Sequence, residues 1–222
     1  PAAMHWEPKE PGAPWTKADL VASIPVKLAI FERFGVLPAA HDGHIVEFMP
    51  GFVTEANDFG SPWRIHHYGI EGHRADALAD DASAAAWRAA DAAPRLPSGE
   101  LVALLLDGLV AGTPRTLPVN LPNAGQVGDV AHGVVVEAMG IADADGVRAR
   151  DTATVGGIIG EYVRRVAASQ ELTVEAALTR DTAVLLEAML ADPLAGRLPF
   201  DRVEALVAAM LEAGRPWLGD FA

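Results

Sequence analysis

Apolar residues recur at helical spacing near the start of the chain. Leu20, Val21, Ile24, Leu28, Ile30, Phe31 and Phe34 keep a period of about 3.6 residues. Thr16 is placed to cap this helix, with Asp19 in its first turn, and Gly35 supplies the stop. Ahead of it, residues 1–15 hold four prolines, too many for a helix or a central strand. Between residues 36 and 74 the period disappears, and the run of His, Trp, Gly and Pro reads as loop and short strand. Residues 77–93 form an alanine-rich helix around Trp87, with the acidic pair Asp80-Asp81 near its start.

Pro97-Ser98-Gly99-Glu100 opens the next helix, from Glu100 to Val110, with Leu101, Leu104, Leu105 and Leu109 as its apolar face and Gly112 at its end. The period then changes. Arg115–Leu121 and Val134–Ile141 are rich in Val, Leu and Ile and read as strands. Asp143-Ala-Asp-Gly146 is turn chemistry, so Val134–Ile141 and Val147–Arg150 are expected to form a hairpin. Helices follow at 155–169, 172–179, 182–191 and 202–213. Asp201 with Glu204 resembles a capping box, and Gly214 with Pro216 closes the last helix. The pattern predicts one compact α+β unit: a small mixed sheet with a predominantly helical C-terminal layer.

Composition narrows the function classes. The chain has 222 residues, half of them hydrophobic, enough for a substantial core. Its net charge of −13, with no basic run longer than Arg164-Arg165, argues against a nucleic-acid partner, because phosphate binding needs clustered Lys and Arg. There is no cysteine, so a thiol nucleophile, a disulfide and a thiolate metal ligand are all excluded. No apolar run approaches the roughly 18–20 residues of a membrane span. The first residues carry no charged stretch followed by an apolar one, so no signal peptide is read there, and a soluble cytoplasmic protein is expected.

Candidate chemistry concentrates between Pro38 and Pro50, where His41, His44 and Glu47 stand three residues apart. Imidazole and carboxylate together suit a borderline or hard metal ion. On a helix all three share one broad face, whereas on a strand His41 and His44 point apart. The spacing is not that of a zinc protease helix, and a solvated loop pair is the plain alternative. His66, His67 and His73 form a second concentration beside Arg64 and Tyr68, either a sugar or phosphate contact or an exposed loop. Asn120-Leu-Pro-Asn123-Ala-Gly125-Gln126 follows a predicted strand. Its amides either cap a turn or contact sugar hydroxyls. Gly156-Gly157-Ile-Ile-Gly160 lacks dinucleotide-binding spacing and reads as close helix packing. No phosphate loop or dinucleotide fingerprint is visible.

Several of these motifs, in order, resemble the C-terminal half of family 4 glycoside hydrolases, the NAD- and metal-dependent glycosidases. The likeness runs from about Lys27 to Leu218. The family's histidine motif reads roughly S-S-E-H-x-x-E-Y-x-P-W-F. Here His44, Glu47, Phe48, Pro50 and Phe52 match it, His41 and Asp42 stand where serines are common, and Gly51 replaces tryptophan. Val119-Asn120-Leu-Pro-Asn123-Ala-Gly125-Gln126-Val127 is similar to its V-N-x-P-N-x-G-x-I element, and Val135-Val136-Glu137 to its V-V-E strand. Gln170–Leu178 and Asp192-Pro-Leu194 match its terminal helices.

The resemblance implies a fold like the C-terminal domain of lactate dehydrogenase and a homo-oligomer. It implies a redox route rather than a pair of carboxylates. NAD⁺ oxidises the sugar 3-hydroxyl, a divalent metal, usually manganese, polarises the ketone, and a base removes the 2-proton before the leaving group departs. His44 falls on the metal-binding histidine, and Glu47, Asn120 and Asn123 fall on the substrate side.

Two departures follow. The family's dinucleotide-binding half, which supplies a cysteine metal ligand, has no counterpart in these residues, so another segment or chain must provide it. Many members start the helix matching 100–110 with a tyrosine base, whereas this chain has Leu101 there. Glu100 is the candidate substitute, or simply an acid favouring a helix N-terminus. The leading reading is the substrate- and metal-binding half of an NAD-dependent glycosidase. Its alternatives are a stand-alone metal hydrolase using His41, His44 and Glu47, and a non-catalytic oligomerisation module. The sugar, the anomer, a phosphate on the substrate and the oligomeric state are not legible.

Overall fold

The computed structural model describes residues 16–67, 69–90 and 101–221. The proline-rich 1–15 stretch, Tyr68 and the Pro97–Glu100 helix start lie outside the described residues. The architecture is α+β, as the period changes predicted. Helices α1 (Lys17–Ser23), α2 (Pro25–Phe34) and α3 (Asp42–Phe48) come first. Short 3₁₀ turns follow at Pro50–Phe52 and Glu55–Trp63, then helices α4 (Ile70–Ala89) and α5 (Val102–Ala111). A three-stranded antiparallel sheet follows, in the order β1 (Arg115–Pro122), β2 (Val135–Asp143), β3 (Gly146–Ala149). Helices α6 (Gly157–Thr179), α7 (Thr182–Ala191) and α8 (Phe200–Leu218) complete it.

The single helix predicted between Thr16 and Gly35 is two. Thr16 does cap α1, in a reciprocal box with Asp19, and Gly35 ends α2 in a left-handed conformation. Pro25 breaks the run between them, since it cannot donate its backbone hydrogen bond and sits readily at the first position of a new helix. The apolar stripe is therefore re-phased. Val26, Ala29 and Ile30 go inside, while Val21, Phe31 and Phe34 stay about half exposed.

The stretch read as loop and strand contains a helix instead. α3 has seven residues, too few to show a period, and its N-cap is an imidazole: the His41 Nδ1 accepts from the Gly43 N–H at 3.1 Å. Its first residue, Asp42, is buried. The Asp42 carboxylate accepts from the N–H of Val26 at 2.8 Å and of Lys27 at 3.2 Å, capping α2 from outside that helix. Ile24, the residue before α2, has no side chain able to do so. Val26, Ile30, Ile45 and Val46 form the core between α2 and α3, with Phe52, Trp63, Ile65 and Ile159 packed around it.

The sheet has its own core. Leu117, Val119 and Ala142 are buried under Leu105 of α5, with Leu121 and Val147 alongside. Gly108 lets the α5 backbone lie against β2, where a Cβ would stand 2.6 Å from the Ala142 carbonyl oxygen. Leu101 and Leu104, predicted for the inner face of α5, are instead 40% and 44% exposed. Pro118 is tolerated because β1 is an edge strand. The predicted hairpin is present, with Asp143 paired to Gly146.

Two predicted helices, 155–169 and 172–179, are one continuous α6, because Gln170-Glu171 offers neither proline nor glycine to break it. Arg165 of α6 donates to the carbonyls of Ala191 and Asp192, satisfying the C-terminal end of α7. Asp201 and Glu204 do not box the start of α8, which follows Pro199 without a side-chain cap and runs through Gly214 and Pro216 to Leu218. Pro216 gives up one helical hydrogen bond close to the end, and Gly219 makes the exit. α4 starts earlier than predicted and buries none of its residues.

Two outcomes test these contacts. Asp42→Ala leaves two backbone N–H groups without their charged acceptor, and is expected to destabilise the fold by about 2–4 kcal/mol. The urea midpoint should fall with an unchanged slope, and a shift under about 0.5 kcal/mol would remove Asp42 from this role. The bidentate Arg148 guanidinium holds the Asp143 carboxyl below its ordinary value of 3.8, helped by the Asp145 N–H and opposed by burial. A depressed carboxylate stabilises the fold above its unfolded value and loses that contribution as pH falls through its folded value. The stability gap between wild type and Arg148→Met should therefore be constant above pH 3.8 and close below it. A gap independent of pH in acid would contradict the pairing.

Candidate functional site

The two histidine concentrations, separate in sequence, meet in one cleft. Five of the seven histidines of the chain, His41, His44, His66, His67 and His73, line it. Its volume is ≈ 610 Å³, within the range of small-ligand pockets. One wall is α3, presenting His41 to His44 and Val46-Glu47. The α1–α2 junction contributes Ala22 and Ser23. The opposite side is the loop Trp63 to His67, with His73 from α4 and Leu194 beyond α7.

His44 and Glu47 stand one helical turn apart, and His44 Nδ1 lies 3.4 Å from Glu47 Oε2. Both side chains are open to solvent, at 69% and 52%. An ionised carboxylate only accepts, so in the neutral imidazole the proton sits on Nδ1 and the Nε2 lone pair is left for a ligand. This is the arrangement in which a carboxylate orients a metal-binding histidine. His41 is the reverse. Its Nδ1 accepts from Gly43, so its neutral ring carries the proton on Nε2 and offers a donor, not a ligand atom. In this arrangement His41, His44 and Glu47 do not present three ligand atoms to one point. Among the described residues no three His, Asp or Glu side chains converge to hold a metal ion. Imidazole and carboxylate fit a borderline divalent metal as part of its shell, with further ligands from elsewhere.

Asn120 and Asn123 are not among the residues lining this cleft. Asn120 is exposed on the open face of the sheet, opposite Glu137 in register. Asn123 is buried. Its amide donates to the carbonyls of Val127, Val130 and Ala131, and its oxygen accepts from the N–H of Gly125 and Val127. Gln126 closes the same turn through Pro122 and Ala124. The Asn-Leu-Pro-Asn element thus spends the Asn123 side chain on building a loop. Glu100 lies outside the described residues.

Five lining residues were not singled out in the sequence: Ala22, Ser23, Val53, Trp63 and Ile65. Four of them are apolar or aromatic and carry no chemical signal. The Pro25 break places Ala22 and Ser23 at the α1–α2 junction, and Trp63 is held by an edge-to-face contact with Phe52, at 4.9 Å between ring centroids.

The tautomers are measurable. Nitrogen-15 NMR of the imidazoles should find the proton on Nδ1 in His44 and on Nε2 in His41. Glu47→Ala should move the His44 population toward Nε2–H. A His44 tautomer ratio indifferent to Glu47 would show that the pair is not coupled.

Comparison with known proteins agrees with the fold. Residues 7–195 match the Family 4 glycosyl hydrolase C-terminal domain. An alpha-galacturonidase of Lachnoclostridium phytofermentans is 28% identical over 92% of this chain and 45% of its own length. One from Bacillus subtilis is 28% identical over 87% of this chain and 42% of its own. The chain spans about half the length of the curated relatives it matches. In three dimensions it superposes on the 6-phospho-beta glucosidase of Thermotoga maritima, solved with manganese, NAD⁺ and glucose-6-phosphate. That TM-score is 0.64 at 17% identity, over 89% of this chain and 45% of that one. On these grounds the chain belongs to the family 4 glycosyl hydrolases, as a carrier of their C-terminal domain.

Proposed function

We propose that this chain is the substrate- and metal-binding half of an NAD-dependent glycosidase that acts on glycosides of galacturonic acid. The observation that carries the reading is the His44–Glu47 pair on one wall of a histidine-lined cleft, in a chain of this family. The curated relatives named alpha-galacturonidase support the sugar. The family neighbour solved with NAD⁺ and manganese supports the cofactors.

In this reading NAD supplies the hydride acceptor, and the metal, manganese, supplies Lewis-acid stabilisation beside the sugar. His44 would hold the metal through Nε2. Glu47 fixes the ring of His44 and borders the substrate. His41 donates its Nε2–H to a sugar oxygen. Asn120 offers an amide on the open sheet face, and Asn123 keeps the neighbouring turn in shape. Leu101 has no proton acceptor, and the Glu100 carboxylate beside it is the candidate group to take up the carbon-2 proton. A dinucleotide-binding domain completes the enzyme, which works in the cytoplasm as a homo-oligomer.

The test is a polypeptide carrying both halves, assayed on an aryl α-galacturonide. Turnover should require NAD⁺ and a divalent metal, cease on chelation, and place solvent deuterium at carbon 2 of the product. Hydrolysis without NAD⁺ would favour a stand-alone metal hydrolase. Failure to bind either cofactor would favour an assembly module. In the same protein Glu100→Gln should lower kcat by about 100-fold or more with little change in KM. Undiminished deuterium exchange in that variant would clear Glu100 of the role.

A further inference from the structure

The cleft has a charge asymmetry that the metal-binding role leaves unexplained. The chain carries −13 overall, yet Arg64 is the one permanent cation among the described residues lining the cleft. Both lining carboxylates are already engaged, Asp42 by two backbone N–H groups and Glu47 by His44. The rest of the polar lining is imidazole, with Ser23. The two carboxylates keep their charge, so the cleft is not positive as a whole, and Arg64 is the single point in its lining where an anionic group can be paired.

The segment that carries Arg64 is also built to hold it still. Asn57 Oδ1 accepts from the N–H of Thr54 at 2.9 Å and of Gly60 at 3.1 Å, and its amide donates to the Phe52 carbonyl at 3.0 Å. Trp63, next to Arg64, is held edge-on against Phe52. Asp58, Phe59 and Arg64 all adopt left-handed backbone, at φ 48°, 49° and 57°. For residues with a Cβ such backbone is costly, and it clusters where surrounding structure enforces a functional geometry. His67 donates to the Phe59 carbonyl at 2.5 Å, tying the far end of the segment back to its strained middle. Arg64 spends one guanidinium donor on the Ala22 carbonyl, at 2.9 Å, which anchors the side chain across the cleft floor. A guanidinium has five N–H donors in a planar fork that matches two carboxylate oxygens.

We propose that Arg64, flanked by His66 and His67, is the specificity subsite for the substrate's carboxylate. This rests on the glycosidase reading above and assigns to these residues the choice between a uronic acid and a neutral sugar. Arg64 pairs with the two carboxylate oxygens, and the sugar ring lies between it and the α3 wall that carries His44. A sugar phosphate shares the anionic chemistry, so the two must be separated by experiment.

The experiment is an NMR titration of this 222-residue chain with D-galacturonate, D-galactose and D-galactose 6-phosphate. Galacturonate should bind about tenfold or more tighter than either of the others and shift the Arg64 Nε–Hε signal. Arg64→Gln should reduce its affinity to that of galactose, and Arg64→Lys should restore part of the difference. If Arg64→Gln loses its native near-ultraviolet spectrum, the wild-type shift of Arg64 decides alone. Equal binding of galacturonate and galactose, an unmoved Arg64 signal, or tighter binding of the phosphate would each overturn the proposal. Arg64-dependent selectivity without NAD-dependent turnover in the full-length protein would overturn the glycosidase reading and keep the subsite. Turnover of galacturonides unaffected by Arg64→Gln would overturn the subsite and keep the glycosidase.

Discussion

The buried carboxylate of Asp42 is the contact on which the site depends. It stands at the first position of α3 and caps α2, so one side chain fixes the mutual placement of two helices. Both helix starts present backbone N–H groups and positive dipole ends, and an anion buried between them is stabilised by both. Its sequence neighbours are the site itself: His41 precedes it, and His44 and Glu47 lie on the helix it opens. Behind them Ile45 and Val46 pack on Val26 and Ile30, so apolar burial and the carboxylate hold the same orientation. Lys27 adds a strut, donating from Nζ to the Ala39 carbonyl at the approach to α3.

Two cores divide the labour. The α2–α3 core carries the cleft, and the α5–sheet core carries the open β-face with Asn120. The helical layer joins the first through Ile159 of α6 and through Arg197, which donates to the carbonyls of Pro50 and Val53. Asn123 binds the loop after β1 to itself. Meanwhile α4, among the described residues, leaves Ile70, Leu78 and Trp87 more than half exposed.

The parts of the fold that were readable in the sequence are those with local signals. Thr16 with Asp19, Gly35 and Gly112 mark helix ends through backbone chemistry that needs no tertiary partner. The Val-rich runs and Asp143–Gly146 mark the strands and their turn for the same reason. Pro25 was there to be read, but the apolar period continued across it and concealed the break. α3 was hidden because seven residues cannot show a period, because its cap is the ring of His41, and because the Asp42 carboxylate is spent on α2. The candidate site was half legible. His44 and Glu47 were singled out and do pair. The convergence of His66, His67 and His73 on them depends on the strained Glu55–Arg64 segment, which no pattern of polarity encodes. Asn123 showed the limit of motif reading, since a strongly patterned amide can be spent wholly on holding its own loop.

The left-handed backbone at Arg64 carries an evolutionary consequence. Glycine or asparagine would occupy that conformation at lower cost than arginine. Against that cost stands the bond from Arg64 to the Ala22 carbonyl, so replacing the arginine with glycine or asparagine would relieve the backbone while giving up this anchor and the cation of the cleft. Position 64 thus becomes a point where activity and robustness pull in opposite directions.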